Sequence, residues 1–248
     1  MIGLTIAGFD PSGGAGILRD INTFRDLDIH GTAVVTALTS QNPNNFYSTK
    51  AIEIDFIEEQ FDSILEEYEV KYAKTGMLYN SEIANIVYKK LNEYNIQYVV
   101  DPVMTASSGG KLSKNSLIDI LKTKLLKKAI LTTPNIVEAE TLINSKIKTV
   151  DDSIEASKKI IEITKIPNVL ITGGHLNGTS ILNINKNEEI SIIQNKLINT
   201  NNTHGSGCGL SAAIVGFLIK KEPLKIAIEK SNEYISLAIQ NGRYGTLK

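Results

Sequence analysis

Short apolar segments alternate with longer segments of helical spacing along this chain, and that alternation restricts the folds it can adopt. The first apolar segment begins at Ile2 and ends at Ala7-Gly8, and a glycine-rich loop follows it. From Ile17 to Leu27 the apolar residues recur at the spacing of one helix face. A second apolar segment then covers residues 32–38. Strand, loop, helix and strand in this order predict the beginning of a parallel sheet.

The alternation continues through the rest of the sequence. We predict further strands at residues 51–55, 72–75, 97–100, 129–132 and 169–172. A β-hairpin is predicted from residues 179–184 and 189–193, on the polar turn 185–187. Helices are predicted over 57–68, over 83–91 with Ser81 as the N-cap, near 152–164, and from Pro223 to Gly242. Because no internal repeat, low-complexity tract or flexible linker interrupts the pattern, the sequence predicts one α/β domain over residues 1–248.

One glycine-rich stretch, residues 199–218, contains the strongest local signal for a binding site. Gly205, Gly207 and Gly209 precede an apolar, alanine-rich segment that is typical of a buried helix. Closely spaced glycines let backbone N–H groups converge on an anion such as phosphate, and a helix start adds its positive end. The sole cysteine, Cys208, lies near that start, where we expect the helix field to favour the thiolate. The structural alternative is a glycine turn before a core helix, with Cys208 as a small buried hydrophobic residue.

Polar and glycine residues also follow the predicted strands. They occur at residues 8–16, 39–42, 76–77, 101–102, 135 with 138, and 173–174. Each group has a structural alternative: Asp101 could cap a helix, and Glu138 could be a solvated carboxylate of a first helical turn. In open parallel sheets, however, ligands bind in a crevice at the carboxyl ends of the strands. Six such groups at one edge therefore predict a functional crevice.

The composition limits the partners and compartments that fit the chain. Hydrophobic residues make up 42% and charged residues 21%, with a formal net charge of −1, so no overall field favours nucleic acid or an anionic membrane. A single cysteine and three scattered histidines exclude an internal disulfide and show no zinc spacing. The sequence begins directly with a strand, without a basic leader, and has no apolar run of membrane length. These features predict a cytoplasmic protein with a small-molecule substrate.

Eight motifs, in order over almost the whole chain, carry a specific resemblance. They are Thr5-Ile-Ala-Gly8, Asp10-Pro-Ser-Gly-Gly-Ala-Gly16, Thr36-Ala-Leu-Thr-Ser-Gln-Asn42, Lys74-Thr-Gly-Met-Leu78, Val100-Asp-Pro-Val-Met104, Thr133-Pro-Asn-Ile-Val-Glu-Ala-Glu140, Gly173-Gly-His-Leu176 and Asn202-Thr-His-Gly-Ser-Gly-Cys208. With these motifs the chain resembles the hydroxymethylpyrimidine/phosphomethylpyrimidine kinases of thiamine biosynthesis, in the ribokinase-like superfamily. The resemblance implies a three-layer sandwich, with helices on both faces of a mostly parallel sheet, and a homo-oligomer, expected to be a dimer.

The resemblance also implies a reaction and a set of site residues. ATP and Mg²⁺ would be used to phosphorylate 4-amino-5-hydroxymethyl-2-methylpyrimidine, and then its monophosphate to the diphosphate. The implied pyrimidine pocket consists of Gly8, Asp20, Gln41, Met77 and Val103. The implied nucleotide and phosphate side consists of Asp101, Asn135, Thr172, Gly173 and Gly174, with Asp101 and Glu138 as metal ligands. The implied catalytic loop consists of Gly205, Ser206 and Gly207 as an anion hole and Cys208 as the base.

Two departures from the family pattern bear on this expectation. Thr172 stands where relatives commonly carry a lysine, so one charge near the nucleotide phosphates is missing, and Lys74 or Lys111 could compensate. Gly209 stands where relatives usually have threonine, which could loosen the helix start. Two other functions remain open: a pyridoxal or pyridoxine kinase on the same scaffold, and a non-catalytic pyrimidine-binding sensor, which Thr172 supports best.

Overall fold

The computed structural model describes residues 1–104, 116–173, 179–184, 189–194 and 198–248. The strands within these residues are β1 (Ile2–Phe9), β2 (His30–Gln41), β3 (Phe46–Ala51), β4 (Tyr72–Thr75), β5 (Gln97–Val100), β6 (Leu131–Thr132), β7 (Asn168–Ile171), β8 (Thr179–Ile184) and β9 (Glu189–Gln194). The helices are α1 (Gly16–Asp26), α2 (Ile54–Glu67), α3 (Ser81–Glu93), α4 (Ser116–Ile120), a π-helical turn (Leu121–Leu125), α5 (Leu126–Lys128), α6 (Ile136–Ile143), α7 (Val150–Thr164), α8 (Ser206–Ile219) and α9 (Leu224–Gln240).

All of these strands form one sheet in the order β3-β2-β1-β4-β5-β6-β7-β8-β9. Neighbours from β2 to β7 run parallel, whereas β3, β8 and β9 are joined to the sheet by antiparallel pairing. Parallel neighbours need a crossover connection, and helices supply it here. The carboxyl ends of the six parallel strands therefore lie at one edge of the sheet, where the predicted crevice belongs.

Two hydrophobic clusters cover the two faces of the sheet. The larger one packs helices α2 to α7 on one face, with Phe61, Leu91 and Leu125 fully buried in it. The second packs α1, α8 and α9 on the other face, around residues such as Phe24 and Ile214. Burial of both faces explains why the central strands β1, β5 and β7 are rich in apolar residues. This arrangement confirms the predicted three-layer sandwich with a mostly parallel sheet.

Most predicted elements are present, and two local predictions are wrong. Residues 51–55 were expected to be a strand, but β3 ends at Ala51 and α2 begins at Ile54. Glu53 is the extended N-cap of that helix, so the polar residues between strand and helix belong to a helix start. Asn80, and not Ser81, is the N-cap of α3, because its side-chain oxygen accepts a hydrogen bond from the Ile83 N–H at 2.8 Å.

The predicted hairpin is present, since β8 and β9 pair antiparallel, while its turn at 185–187 lies outside the described residues. Pro223 is the N-cap of α9, and that helix ends at Gln240, shortly before the predicted Gly242. Helices α4 and α5 were not predicted.

In the described part of the chain, no helix combines the length and the apolar character that a membrane span requires.

Candidate active site

An apolar cluster at the end of β1 brings together three of the residues predicted to line the substrate pocket. Gly8 pairs with Ala37 of β2, and a Cβ at Gly8 would lie only 2.8 Å from the Met77 sulfur. Met77 is buried against Ala37, and Val103 packs on this pair at its partly exposed side. A side chain at position 8 would therefore displace the Met77 thioether from its place against the backbone. The Met77 thioether gives the cluster a polarizable group that can pack against an aromatic ring.

Gln41 lies at the end of β2, next to this cluster. It pairs with Phe46 of β3, whose side chain packs against Met77 and Ala37. The Gln41 Oε1 atom is buried, and no hydrogen-bond partner for it exists among the described residues. A buried carbonyl oxygen without a donor is costly, and a ligand that donates a hydrogen bond to it would remove that cost.

Asp20, also predicted for the pocket, is placed differently. Its carboxylate is fully buried, accepting two hydrogen bonds from Lys74 Nζ at 2.8 and 3.0 Å and one from Thr5 Oγ1 at 2.6 Å. Burial raises the pKa of Asp20, which the Lys74 charge only partly offsets. Because Asp20 has no exposed surface, a direct contact between its carboxylate and a ring substrate requires the residues around it to move.

Lys74 supplies the positive charge at the centre of the site. Its Nζ atom lies 3.8 Å from Asp101 Oδ2, in addition to the ion pair with Asp20. Burial lowers the pKa of Lys74, but the nearby Asp20 and the other acidic groups outweigh this and raise it, so the side chain is an ammonium ion. Because Lys74 has no exposed surface, it cannot take the place of the missing lysine at the nucleotide phosphates. Lys111, the other candidate, lies outside the described residues.

Asp101 and Glu138 form a pair of buried carboxylates. Asp101 follows β5 and accepts a hydrogen bond from Ser211 Oγ at 3.1 Å. Glu138 lies in the first turn of α6, where its Oε2 accepts from the Asn135 N–H at 3.0 Å while the Asn135 side chain accepts from the Glu138 N–H. Burial, with the Asp101 charge next, raises the pKa of Glu138 to about 8, and burial likewise raises the pKa of Asp101.

This pair fits a hard divalent cation. Both side chains offer oxygen ligands, and their raised pKa values indicate that their negative charges lack sufficient compensation. Among the described residues, no group of three or more acidic, histidine or cysteine side chains could hold a metal ion alone. A cation here would need further oxygens from phosphate and water, as is usual for Mg²⁺.

The predicted nucleotide side is partly assembled at the ends of β6 and β7. Asn135 and Thr172 form an isolated parallel bridge, and the Thr172 N–H donates to the Pro134 carbonyl at 2.9 Å. Gly173 is buried, and its N–H donates to Ser180 Oγ at 3.1 Å. The side-chain oxygen of Asn135 is used in its capping box. Gly174 lies outside the described residues.

The glycine-rich stretch forms the start of α8, as predicted. Gly205 is its N-cap with φ at +83°, and a Cβ there would lie 1.8 Å from the Gly14 carbonyl oxygen. The Ser206 N–H is already used, since it donates to the Thr203 carbonyl at 3.1 Å. Gly207 is exposed and has open space around it. First-turn N–H groups of a helix lack acceptors within the helix, so Gly207 and Cys208 present the available donors.

Cys208 lies in that first turn with a partly exposed residue surface but a buried thiol. Burial raises the pKa of Cys208 to about 12, although the Lys74 charge and a backbone hydrogen bond from Gly16 act in the opposite direction. The charges of Asp101 and Asp20 raise it further. The expectation that the helix field favours the thiolate is therefore wrong for the protein without ligands, because desolvation outweighs that field.

A model of the phosphomethylpyrimidine kinase family matches residues 10–246. The chain belongs to this family. The hydroxymethylpyrimidine/phosphomethylpyrimidine kinase of Aquifex aeolicus is 37% identical over 245 residues, which cover 98% of this chain and 96% of that protein.

Two solved structures are also similar to this chain. An ADP complex of Bacillus subtilis pyridoxal kinase superposes with a TM-score of 0.89 at 35% identity, covering 97% of this chain and 92% of that one. Phosphomethylpyrimidine kinase from Clostridium difficile gives a TM-score of 0.84 at 34% identity, covering 96% and 99%.

As a member of this family the chain is a kinase, and the structure adds polar residues to its site that the sequence did not single out. Ser211 contacts Asp101 from the second turn of α8. Asp10 and His204 contact each other across the site at 2.7 Å, between His204 Nε2 and Asp10 Oδ2. Both residues stood inside quoted motifs, but only the fold brings their side chains together.

Proposed function

We propose that this kinase transfers the γ-phosphoryl group of ATP to the hydroxymethyl group of 4-amino-5-hydroxymethyl-2-methylpyrimidine, and a second one to the resulting monophosphate, for thiamine biosynthesis. The observation that carries the choice of substrate is the unpartnered, buried Oε1 of Gln41 beside the Met77 cluster. An aminopyrimidine presents an amine next to a ring nitrogen, and a carboxamide can match that donor and acceptor with two hydrogen bonds.

Phosphoryl transfer asks a protein mainly for positioning and charge stabilisation. In our proposal the N–H groups of Gly207 and Cys208 hold the transferring phosphoryl group, and Asp101 and Glu138 would hold Mg²⁺. When bound, that ion would neutralise phosphate charge and also offset the Asp101 charge that raises the pKa of Cys208. The thiolate form of Cys208, which the Lys74 ammonium stabilises, would then accept the proton of the attacking hydroxyl and become the thiol.

Two buried carboxylates with raised pKa values also argue against a sensor without catalysis. Such an arrangement destabilises the protein and serves no purpose in a pocket that only binds a ring. The pyridoxal kinase alternative has a specific observation in its favour, because the Bacillus subtilis pyridoxal kinase has the same fold at 35% identity. We further propose that the protein is a homodimer in a reducing cytoplasm, a compartment that fits a sequence with a single cysteine.

One experiment separates these functions. The purified protein is incubated with ATP and Mg²⁺ and with either the hydroxymethylpyrimidine or pyridoxal, and ADP release and the phosphorylated products are measured. We expect both the monophosphate and the diphosphate of the pyrimidine to form. Preferred turnover of pyridoxal would support the alternative kinase, and ring binding without any ADP release would support the sensor.

A further inference from the structure

Two loops that are far apart in the sequence meet in the site, and a hydrogen bond between two side chains joins them. The first loop follows β1 and contains the glycines of residues 10–16, and the second, residues 202–206, leads into α8. His204 Nε2 lies 2.7 Å from Asp10 Oδ2, and both side chains are almost completely buried. Since a carboxylate only accepts hydrogen bonds, the His204 Nε2–H donates to it.

Asp10 organises the first loop from within. Its Oδ1 accepts hydrogen bonds from the Ser12 N–H at 2.9 Å and the Ser12 hydroxyl at 2.8 Å, and its Oδ2 accepts from the Ala15 N–H at 3.0 Å. Burial raises the pKa of Asp10, but the hydrogen bonds from His204 and Ser12 outweigh it and leave the pKa lowered. The carboxylate is thus the point at which the shape of the first loop is fixed and the second loop is attached.

The imidazole also sets how closely the two backbones approach. A Cβ at Gly14 would lie 2.5 Å from His204 Cδ2, so the ring rests directly on the Gly14 backbone. A Cβ at the next residue, Gly205, would lie 1.8 Å from the Gly14 carbonyl oxygen, so the two backbones also lie against each other there. On the other side of the second loop, the backbone N–H of His204 donates a hydrogen bond to the Gly245 carbonyl at 3.3 Å. The start of α8 is therefore held in place through His204.

From this geometry we propose that His204 is a positioning residue of the kinase. It acts through Asp10 to hold the first turn of α8 against the first loop, residues 10–16. The contact aligns the Gly207 and Cys208 N–H groups with the phosphoryl group and keeps the Gly16 N–H on the Cys208 sulfur. His204 itself touches no reacting atom. The inference rests on the proposed phosphoryl transfer, in which a displacement of about 1 Å can lower the rate by about 100-fold.

Two polar substitutions of His204 test the contact. In His204→Gln the amide can reach the position of Nε2 and donate to Asp10, whereas in His204→Asn the side chain is too short to do so. We expect His204→Asn to lower kcat by about 10- to 100-fold, with KM for the pyrimidine changed by less than about threefold, and His204→Gln to recover most of kcat. His30→Asn is the matched control, because His30 is exposed at the first residue of β2, at the end of the strand away from the site.

Amide hydrogen exchange supplies a readout that does not depend on turnover. In His204→Asn, exchange should be faster in peptides covering residues 10–16 and 203–210, and unchanged in α3, where the core is packed independently. Equal kcat in wild type and His204→Asn, equal losses in the Asn and Gln variants, or accelerated exchange throughout the chain would each overturn the inference. If the wild type releases no ADP with either ring, the proposed function fails, and the exchange comparison still decides whether the contact holds the two loops.

Discussion

Arg19 occupies the space that a side chain at Gly209 would need. A Cβ at Gly209 would lie 3.2 Å from Arg19 Nε and 2.8 Å from the Ile235 methyl group Cδ1. Arg19 is held there by a hydrogen bond of 2.7 Å from its Nη2 to the Tyr234 hydroxyl. Despite the glycine, the helix start is intact, since the Gly209 N–H donates to the Gly205 carbonyl at 2.8 Å. Gly209 thus leaves room for the side chains of Arg19 and Ile235 beside the start of α8.

We therefore expect Gly209→Thr to lower the free energy of unfolding by about 1–3 kcal/mol through overpacking. In the double variant, Arg19→Ala should restore part of the lost free energy of unfolding. Urea denaturation of the two single variants and the double variant should give a coupling energy of about 0.5–3 kcal/mol. Gly207→Ala is the control in the same helical turn, because a Cβ there would have no neighbour within 4 Å. Strictly additive effects of the two substitutions would show that Arg19 does not fill this space.

The pKa of Cys208 predicts how the thiol reacts with an alkylating reagent. Only the thiolate is alkylated, and the raised pKa of about 12 keeps the thiolate fraction small at neutral pH. We expect the rate of iodoacetamide reaction to rise about tenfold per pH unit from pH 7 to 9.5 without a plateau. A model peptide with an ordinary cysteine should level off above its pKa of about 8.5. A plateau near pH 7 in the protein would restore the thiolate prediction.

A second substitution tests the catalytic role of the same residue. If Cys208 accepts the proton, Cys208→Ala should lower kcat by about 10²–10⁴-fold and leave pyrimidine binding nearly unchanged. Turnover is measured alongside thermal unfolding, since a packing role predicts a loss of stability instead. Full activity of a stably folded Cys208→Ala protein would remove Cys208 from the mechanism.

The metal prediction concerns Glu138. Glu138→Gln keeps the size of the side chain and removes its charge, so half-maximal activity should require more Mg²⁺, while pyrimidine binding without nucleotide stays the same. Glu140→Gln is the matched control on the same helix, because Glu140 pairs with Lys146 and not with Asp101. An unchanged Mg²⁺ titration in the Glu138 variant would leave Glu138 as a capping residue only.

The Glu138→Gln variant also gives a readout without nucleotide or metal. Because the pKa of Glu138 is raised to about 8, the folded state keeps a proton that the unfolded state loses above about pH 4.5. The folded state then binds more protons between these values, so wild-type stability should fall as the pH rises through this window. Glu138→Gln should lack that part of the fall when thermal unfolding is followed from pH 5 to 8.

The fold was largely predictable because each buried strand and helix carries its own apolar pattern. Strands β4 and β5 begin and end at the predicted residues, because Gly76 follows the end of β4 and apolar residues fill β5 from Tyr98 to Val100. Strand β3 was missed because its residues are mostly exposed and show no such pattern. The Asp10–His204 contact joins residues 194 positions apart, and no local spacing encodes it. The pKa values of Asp20 and Cys208 depend mainly on burial, which only the assembled site determines.

We expect the selectivity between the two ring substrates to depend on Gln41. With an aminopyrimidine, the buried Oε1 gains a donor and the amide N–H₂ group gains the ring nitrogen. Pyridoxal has a phenolic oxygen and no such amine, so at least one carboxamide group would stay unpaired. An unmade buried hydrogen bond costs about 1–3 kcal/mol, which corresponds to about 5- to 150-fold in selectivity. We therefore expect kcat/KM to favour the hydroxymethylpyrimidine by at least about tenfold.

Gln41→Met replaces the carboxamide with an apolar side chain of similar length and should narrow that preference mainly by slowing the pyrimidine reaction. Met removes both hydrogen bonds to the aminopyrimidine, whereas pyridoxal loses little. The measurement is kcat/KM for both rings in the wild type and the variant. If Gln41 only ends β2, the substitution will slow both substrates by the same factor. Equal or better wild-type turnover of pyridoxal would overturn the choice of substrate itself, because the unpaired oxygen would then carry no selectivity.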